Sequence, residues 1–225
     1  MRIGVFDSGR GGEAVASRLR ELLPGSDVLT ADDAANVPYG SRSDEEVQRL
    51  TAEGVKPLLD AGCDAVVLAC NTATAAAIDH LRRDIPAIPF VGLEPMVKPA
   101  AAMSRSGVIA VCATPATLRS GRYQRLKDAW APQTRVLEPD CSAWAAAVER
   151  EGPEVVDLAP LVEEVRGSGA DVVVLACTHY HWLKERIEAQ LAAELPERGV
   201  TVLEPSDAVA GQVARVLGSP PRSGL

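Results

Sequence analysis

An internal repeat constrains the fold of this chain more than any other feature of its sequence. Residues 62–70, Gly-Cys-Asp-Ala-Val-Val-Leu-Ala-Cys, recur 107 positions later as Gly-Ala-Asp-Val-Val-Val-Leu-Ala-Cys at residues 169–177. Leu93-Glu94-Pro95 recurs after 110 residues, and residues 3–6 are echoed more weakly at 109–112. These matches keep one order and nearly one offset, close to half of the 225 residues. They predict two halves with the same topology.

Within each half, short apolar segments alternate with amphipathic ones. In the first half we predict strands at residues 2–6, 28–31, 65–69 and 89–93, and helices at 13–23, 44–61 and 72–83. The second half repeats the pattern from about residue 107. This predicts the α/β class: two similar lobes, each a mostly parallel sheet flanked by helices, related by a pseudo-two-fold axis with the active site between them. We assign residues 1–97 and 206–225 to the first lobe and 98–205 to the second, and we expect a frayed tail from Ser219 onward.

Composition and charge exclude several classes of function. The net charge is −8, and no cluster of basic residues is larger than Arg82-Arg83, so we expect no nucleic-acid partner. Apolar runs are far shorter than the roughly 18 residues of a membrane span, and we expect no signal peptide before the first strand. We therefore expect no membrane partner and a cytoplasmic location.

The cysteines and histidines do not form a metal-binding pattern. Five cysteines, at positions 63, 70, 112, 141 and 177, include no C-x-x-C pair, and the chain has three histidines. Zinc needs about four converging ligands, so we expect no metal. An odd number of cysteines without an export signal also argues against a disulfide framework.

Cys70 and Cys177 occupy equivalent positions, each at the end of an apolar strand. Ligands of open parallel sheets bind beyond the carboxyl ends of the strands, and a helix that begins there lowers the pKa of a thiol. We therefore predict that both cysteines favour the thiolate. A cysteine can also end a strand simply as a small hydrophobic residue. We apply that interpretation to the other three, whereas the duplication favours a chemical role for this pair.

Two equivalent thiols on opposite sides of a small substrate suit one reaction in particular. One thiol removes a proton while the other delivers a proton to the opposite face, which is racemisation by two bases. The turn that begins at Asp7 and Ser8 lacks a dinucleotide-binding fingerprint. Three roles remain open for Asp7: it binds a substrate ammonium group, it interacts with one of the thiols, or it only caps a helix. The Pro38-Tyr39-Gly40 segment is either a turn or part of the same rim.

Four motifs resemble one family in order and spacing. They are residues 4–12 (Gly-Val-Phe-Asp-Ser-Gly-Arg-Gly-Gly), residues 37–40 (Val-Pro-Tyr-Gly), residues 69–73 (Ala-Cys-Asn-Thr-Ala) and residues 177–180 (Cys-Thr-His-Tyr). Together they resemble the cofactor-independent glutamate racemases of the aspartate/glutamate racemase superfamily. Cys-Thr-His, rather than Cys-Thr-Glu, is similar to the glutamate branch.

The resemblance implies a role for each matching residue. Cys70 and Cys177 would be the two acid/base residues, Asp7 and His179 would assist the nearer thiols, and Glu149 would support the second thiol. The substrate contacts would be Ser8, Pro38, Tyr39, Gly40, Asn71, Thr72, Thr114, Thr117 and Thr178.

The resemblance also implies an activity, the interconversion of L- and D-glutamate to supply D-glutamate for peptidoglycan. It implies a small amino-acid substrate, and it implies no metal and no pyridoxal cofactor. A homodimer is an assembly to test. Residues 140–144 and the pair His181-Trp182 depart from the family pattern. Two alternatives remain: a racemase of aspartate, a hydantoin or a related compound, and a catalytically weak homologue that binds an amino acid or a protein.

Overall fold

The computed structural model describes residues 1–218 and divides them into two compact units. The first contains Met1–Glu94 and the described residues from Pro205 onward, and the second contains Pro95–Glu204. The tail predicted to be frayed from Ser219 lies outside the described residues.

Each unit is built on a four-stranded sheet. The first sheet contains β1 (Arg2–Asp7), β2 (Asp27–Asp32), β3 (Ala65–Leu68) and β4 (Phe90–Gly92). The second contains β5 (Val108–Ala113), β6 (Arg135–Leu137), β7 (Val172–Ala176) and β8 (Thr201–Leu203). The strand orders are β2-β1-β3-β4 and β6-β5-β7-β8, and every pair is parallel. The predicted α/β class with a duplicated topology is therefore confirmed.

Helices connect the strands, as parallel pairing requires. The first unit has α1 (Gly12–Leu22), α2 (Asp44–Gly54), α3 (Lys56–Asp60) and α4 (Asn71–Asp84), with a 3-10 helix at Tyr39–Ser41. The second has α5 (Val97–Met103), α6 (Pro115–Arg119), α7 (Gly121–Trp130), α8 (Trp144–Glu151), α9 (Ala159–Ser168) and α10 (Lys184–Glu194), with 3-10 helices at Pro153–Val155 and Thr178–Leu183. The chain then returns to the first unit with α11 (Ser206–Val216).

Both sheets are covered on both faces. Along β1, Ile3 and Val5 pack in a cluster with α1 and α11, whereas Phe6 packs in a second cluster with α2 and α4. In the second sheet, alternate residues of β7 likewise face α9 and α10 on one side and α5 and α7 on the other. Continuous apolar strands such as β3 and β7 follow from this arrangement, because both faces of a parallel sheet are buried.

The aspartate of the repeated segment has the same task in both units. Asp64 accepts a hydrogen bond from the backbone N–H of Arg2 at 2.7 Å, at the start of β1. The equivalent Asp171 is 7% exposed and accepts four hydrogen bonds from the residues before β5. The donors are the hydroxyls of Ser104 and Ser106 and the backbone N–H groups of Arg105 and Ser106. Burial alone would raise the pKa of Asp171, but these hydrogen bonds outweigh it and lower the pKa.

The helix predicted over residues 44–61 is wrong as a single element. It is divided at Val55 into α2 and α3, with Pro57 in the first turn of α3. Proline has no backbone N–H and its ring clashes with the preceding turn of a helix, so it is tolerated only near a helix start. The last residue of α2, Gly54, lies against the ring of Phe6, where a Cβ atom would be 2.2 Å from Phe6 Cε2. Only glycine at position 54 therefore allows the end of α2 to lie against this ring.

Within residues 1–218, no helix has both the length and the apolar character needed to cross a membrane.

Candidate active site

In the first unit, Asp7, Ser8 and Cys70 meet at the carboxyl edge of the sheet. β1 and β3 are paired with Phe6 opposite Leu68, and the N–H of Ala69 donates to the carbonyl of Phe6 at 2.7 Å. The residues that follow the two strands are therefore neighbours. The hydroxyl of Ser8 donates a hydrogen bond to the Sγ atom of Cys70 at 3.4 Å.

Cys70 is the N-cap of α4. Its backbone is extended, and its Sγ atom accepts a hydrogen bond from the N–H of Ala73 at 3.4 Å. The prediction that this position favours a thiolate is nevertheless wrong for Cys70. Burial and the negative charge of Asp7 raise the pKa of Cys70 to about 11, against the lowering effects of Ser8 and the helix N–H groups. The desolvation of a buried thiolate therefore exceeds the stabilisation that one helix start provides.

Asp7 is held in a tight turn beside this thiol. It is 1% exposed, and its Oδ1 atom accepts a hydrogen bond from the N–H of Gly9 at 2.8 Å. A Cβ atom on Gly12 would be 2.7 Å from the Cβ of Asp7, so α1 can begin this close to Asp7 only with glycine at position 12. Gly12 thus allows a buried carboxylate at the edge of the sheet.

Tyr39 and Asn71 belong to the same edge. Tyr39 follows Pro38 and precedes Gly40 in the 3-10 segment, and it packs in one buried cluster with Cys70. The amide of Asn71, the first residue of α4, is buried, and neither of its polar atoms has a hydrogen-bond partner within the described chain. An unsatisfied buried amide is costly, which makes it a strong candidate for a ligand contact. Thr72 follows in the same helical turn and is also buried.

In the second unit, Cys177, His179 and Glu149 form a connected chain. Cys177 follows β7, and its Sγ atom lies 3.8 Å from Nδ1 of His179. The other ring nitrogen of His179 lies 2.5 Å from Oε2 of Glu149. All three groups are largely buried. Cys177 opens a 3-10 helix and not the α-helix that would match α4, so the two thiols differ in their local backbone.

The segment that departs from the family pattern holds α8 in place. The hydroxyl of Tyr180 donates to the carbonyl of Cys141 at 2.7 Å, and the ring of Trp144 meets Tyr180 edge-on at 5.3 Å. Trp144 and Val148 are the buried residues of α8, and Glu149 follows on the same helix. These contacts fix the helix that carries Glu149 beside the 3-10 helix that follows Cys177.

The three threonines named for this unit also lie at the carboxyl edge. Thr114 follows β5 and caps α6, accepting from the N–H of Thr117 at 3.3 Å. Its hydroxyl donates to the Thr117 hydroxyl at 3.1 Å. Thr178 follows Cys177 directly and is buried. The candidate residues are thus grouped at one edge in each unit.

Sequence reasoning missed two contacts at these edges. The hydroxyl of Tyr39 donates to Asp33 at 2.7 Å. The ring of Trp182 meets that of His179 edge-on, with centroids 6.0 Å apart. Asp33 lies five positions before the Pro38-Tyr39-Gly40 segment, so only its proximity to that motif could have drawn attention to it. The remaining cysteines, at positions 63, 112 and 141, are buried like Cys70 and Cys177, so burial alone does not distinguish the two groups.

Residues 1–218 contain no cluster of three or more His, Cys, Asp or Glu side chains that could hold a metal ion.

Comparisons with known proteins identify what this chain resembles. Residues 3–213 match the family described as Asp/Glu/Hydantoin racemase. A glutamate racemase of Ectopseudomonas mendocina is 40% identical over 220 residues, covering 96% of this chain and 82% of the relative. A glutamate racemase of Roseiflexus sp. is 42% identical over 219 residues, covering 96% of this chain and 79% of the relative.

A solved structure shows the same similarity. The crystal structure of Escherichia coli glutamate racemase, in complex with L-glutamate and an activator, superposes with a TM-score of 0.81 at 29% identity. The superposition covers 99% of this chain and 84% of that one.

Proposed function

Because the chain belongs to the Asp/Glu/Hydantoin racemase family, we propose that it interconverts L-glutamate and D-glutamate by proton transfer between two thiols. Two relatives of about 40% identity over most of the chain are glutamate racemases, which supports glutamate as the substrate. The product, D-glutamate, would supply peptidoglycan. The chemistry is carried by the chain's own side chains.

The proposed reaction uses each cysteine in two ways. Cys177 as a thiolate removes the α-proton of L-glutamate, and Cys70 as a thiol delivers a proton to the opposite face of the carbanion. In the reverse direction Cys70 is the base for D-glutamate and Cys177 is the acid. Since the pKa of Cys70 is about 11, Cys70 is protonated near neutral pH, which is the form that the L-to-D direction needs.

The contacts of Cys177 support its role as the base for L-glutamate. If Nε2 of His179 carries the proton and donates it to Glu149, then Nδ1 is free to accept the proton of Cys177 at 3.8 Å. Glu149 would then stabilise the imidazolium that forms, in the manner of a carboxylate behind a catalytic histidine. In this proposal Asp7 assists the Cys70 side.

A single observation carries the proposal most strongly. Each unit has a buried thiol one or two residues after the third strand in chain order of its sheet, with polar partners at the same edge. Two-base racemisation requires two such groups, Cys70 and Cys177, to act on the α-carbon of one substrate. Its contacts would include the amide of Asn71, the backbone near Ser8 and Gly40, and the threonine at position 178.

The experiment measures the optical rotation of L- and D-glutamate and of L- and D-aspartate with the purified protein. We expect both glutamate enantiomers to lose rotation and the aspartate enantiomers to keep it. Cys70→Ser and Cys177→Ser should each reduce racemisation at least about a hundredfold, because serine is too weak an acid to replace a thiolate base.

A glutamate analogue with chloride at the β-carbon separates the two thiols, because loss of HCl needs one base and no opposing acid. Cys70→Ser should eliminate only from the L-analogue and Cys177→Ser only from the D-analogue. Racemisation by either single variant at the wild-type rate would refute the two-thiol mechanism. A cytoplasmic location and a homodimer remain predictions, for cell fractionation and analytical ultracentrifugation to test.

A further inference from the structure

A single carboxylate, that of Asp33, organises the loop between β2 and α2. Its Oδ2 atom accepts a hydrogen bond from the hydroxyl of Tyr39 at 2.7 Å. Its Oδ1 atom accepts from the side-chain amide of Asn36 at 2.9 Å, and its carbonyl accepts from the N–H of Asn36 at 2.9 Å. Asp33 therefore connects the start of the loop to the Tyr39 segment that follows it.

The partner of Asp33 is a buried phenol. Tyr39 is 1% exposed and packs in one cluster with Phe6 and Cys70. Burial, the hydrogen bond to Asp33 and the negative charge of Asp33 all raise the pKa of Tyr39. The phenol consequently stays protonated and keeps donating to Asp33.

We propose that Asp33 is a positioning residue for the Cys70 side of the reaction, because it holds the Tyr39 ring in the buried cluster that contains the Cys70 thiol. This inference rests on the proposed function. The hydrogen bond at 2.7 Å joins a hydroxyl to a carboxylate, which is a strong type of bond. Without Asp33 the buried hydroxyl would lose its acceptor, and leaving it buried and unpaired is unfavourable. The ring would then move toward water.

Two measurable properties depend on that ring. Burial is the main cause of the raised pKa of Cys70, so displacement of Tyr39 should admit water and lower that pKa. The same displacement should disturb the base that acts on D-glutamate and leave the Cys177 side intact. Asp33 is thus expected to affect one thiol and one enantiomer.

The test compares Asp33→Ala with Asp60→Ala. Asp60 lies in the same unit, is exposed at the end of α3, and gives the same change of charge. Alkylation of Cys70 by iodoacetamide at pH 8, followed by peptide mass spectrometry, should be about tenfold faster in Asp33→Ala than in wild type. In Asp60→Ala it should be unchanged. An unchanged rate in a folded Asp33→Ala would overturn the proposal.

A second measurement follows elimination from the β-chloro analogues. In Asp33→Ala, kcat for the D-analogue should fall about tenfold, and kcat for the L-analogue should stay within about twofold. Equal falls for both enantiomers would overturn the assignment of Asp33 to the Cys70 side. Asp33→Asn keeps an acceptor for the Tyr39 hydroxyl and should lie between wild type and Asp33→Ala, which keeps the test usable if the alanine variant does not fold.

A double-mutant cycle identifies the route of the effect. If Asp33 acts through the hydroxyl, then Asp33→Ala should have no further effect on Cys70 alkylation in the Tyr39→Phe background. If the effects of Asp33→Ala and Tyr39→Phe on the rate of Cys70 alkylation multiply in the double variant, then Asp33 acts by another route and the proposal is overturned. A wild-type chain that fails to racemise glutamate would contradict the proposed function. The alkylation comparison would still decide whether Asp33 and Tyr39 control the burial of Cys70.

Discussion

Replacement of Glu149 by glutamine tests the carboxylate behind His179. In the structure Oε2 of Glu149 is 2.5 Å from Nε2 of His179, and neither side chain is more than 17% exposed. Glutamine keeps the size of the side chain and removes its charge. The variant therefore removes the partner that would stabilise a protonated His179 while leaving the packing of α8 in place.

The size of the effect follows from the kind of bond that is lost. A buried hydrogen bond to a charged group contributes about 1.5–3 kcal/mol, and each 1.4 kcal/mol corresponds to about a tenfold change. We expect kcat for racemisation in Glu149→Gln to fall by about 10- to 150-fold. The matched control is Glu151→Gln on the same helix, where the side chain is 58% exposed and 3.7 Å from Arg150. A surface pair of this kind contributes little, so the control should retain full activity.

The assay must separate the two directions, because kcat/KM is equal for both enantiomers when the equilibrium constant of a racemase is one. Elimination from the β-chloro analogues provides that separation. Glu149→Gln should slow elimination from the L-analogue, which needs Cys177 as base, and leave elimination from the D-analogue within about twofold. Unchanged elimination from the L-analogue, with the protein folded, would refute the role given to the Cys177–His179–Glu149 chain.

Three further predictions concern ionisation and stability. Since the pKa of Cys70 is about 11, its alkylation by iodoacetamide should rise about tenfold per pH unit from pH 7 to pH 10; a plateau below pH 9 would contradict the raised value. Asp171→Asn should lower the free energy of unfolding in urea by about 1–3 kcal/mol near pH 7. Folding lowers the pKa of Asp171, so its contribution to the free energy of unfolding is present above the unfolded pKa of about 3.9 and is lost as the pH falls through the folded pKa. If Asp171→Asn and wild type still differed in free energy of unfolding below the folded pKa, this assignment would be contradicted. Gly54→Ala should destabilise the protein by about 1–3 kcal/mol, because the new methyl would overlap the ring of Phe6. Gly211 lies in α11, and nothing lies within 4 Å of a Cβ atom added there, so Gly211→Ala should stabilise the protein by up to about 1 kcal/mol. Equal shifts of the urea midpoint in Gly54→Ala and Gly211→Ala would refute the packing argument.

The sequence by itself determined the architecture of each unit. The repeat at residues 62–70 and 169–177 predicted two sheets of one topology, and both have that topology. The alternation of apolar runs and amphipathic segments predicted parallel strands, and every strand pair is parallel. Such features are readable because the period of apolar residues and the turn residues between segments are local properties of the chain.

The sequence also indicated where the chemistry lies. Each repeat ends on a cysteine within two residues of the end of a buried strand, and parallel strands bring such residues to one edge of a sheet. The grouping of Asp7, Ser8 and Cys70 follows from this rule. The single helix expected over residues 44–61 failed because its apolar period continues through Pro57, although proline interrupts the backbone hydrogen bonds.

Only the tertiary structure decided the properties that depend on packing between distant segments. The helix start at Cys70 predicted a lowered pKa. The desolvation of its thiol depends on residues that surround it from other parts of the chain, and it raises the pKa by more than the helix start lowers it. The contact of His179 with Glu149 joins residues 30 positions apart, and the bond of Asp33 with Tyr39 depends on the path of an irregular loop. Burial and the distance between two charges are set by the whole fold, and no local pattern in the sequence encodes them.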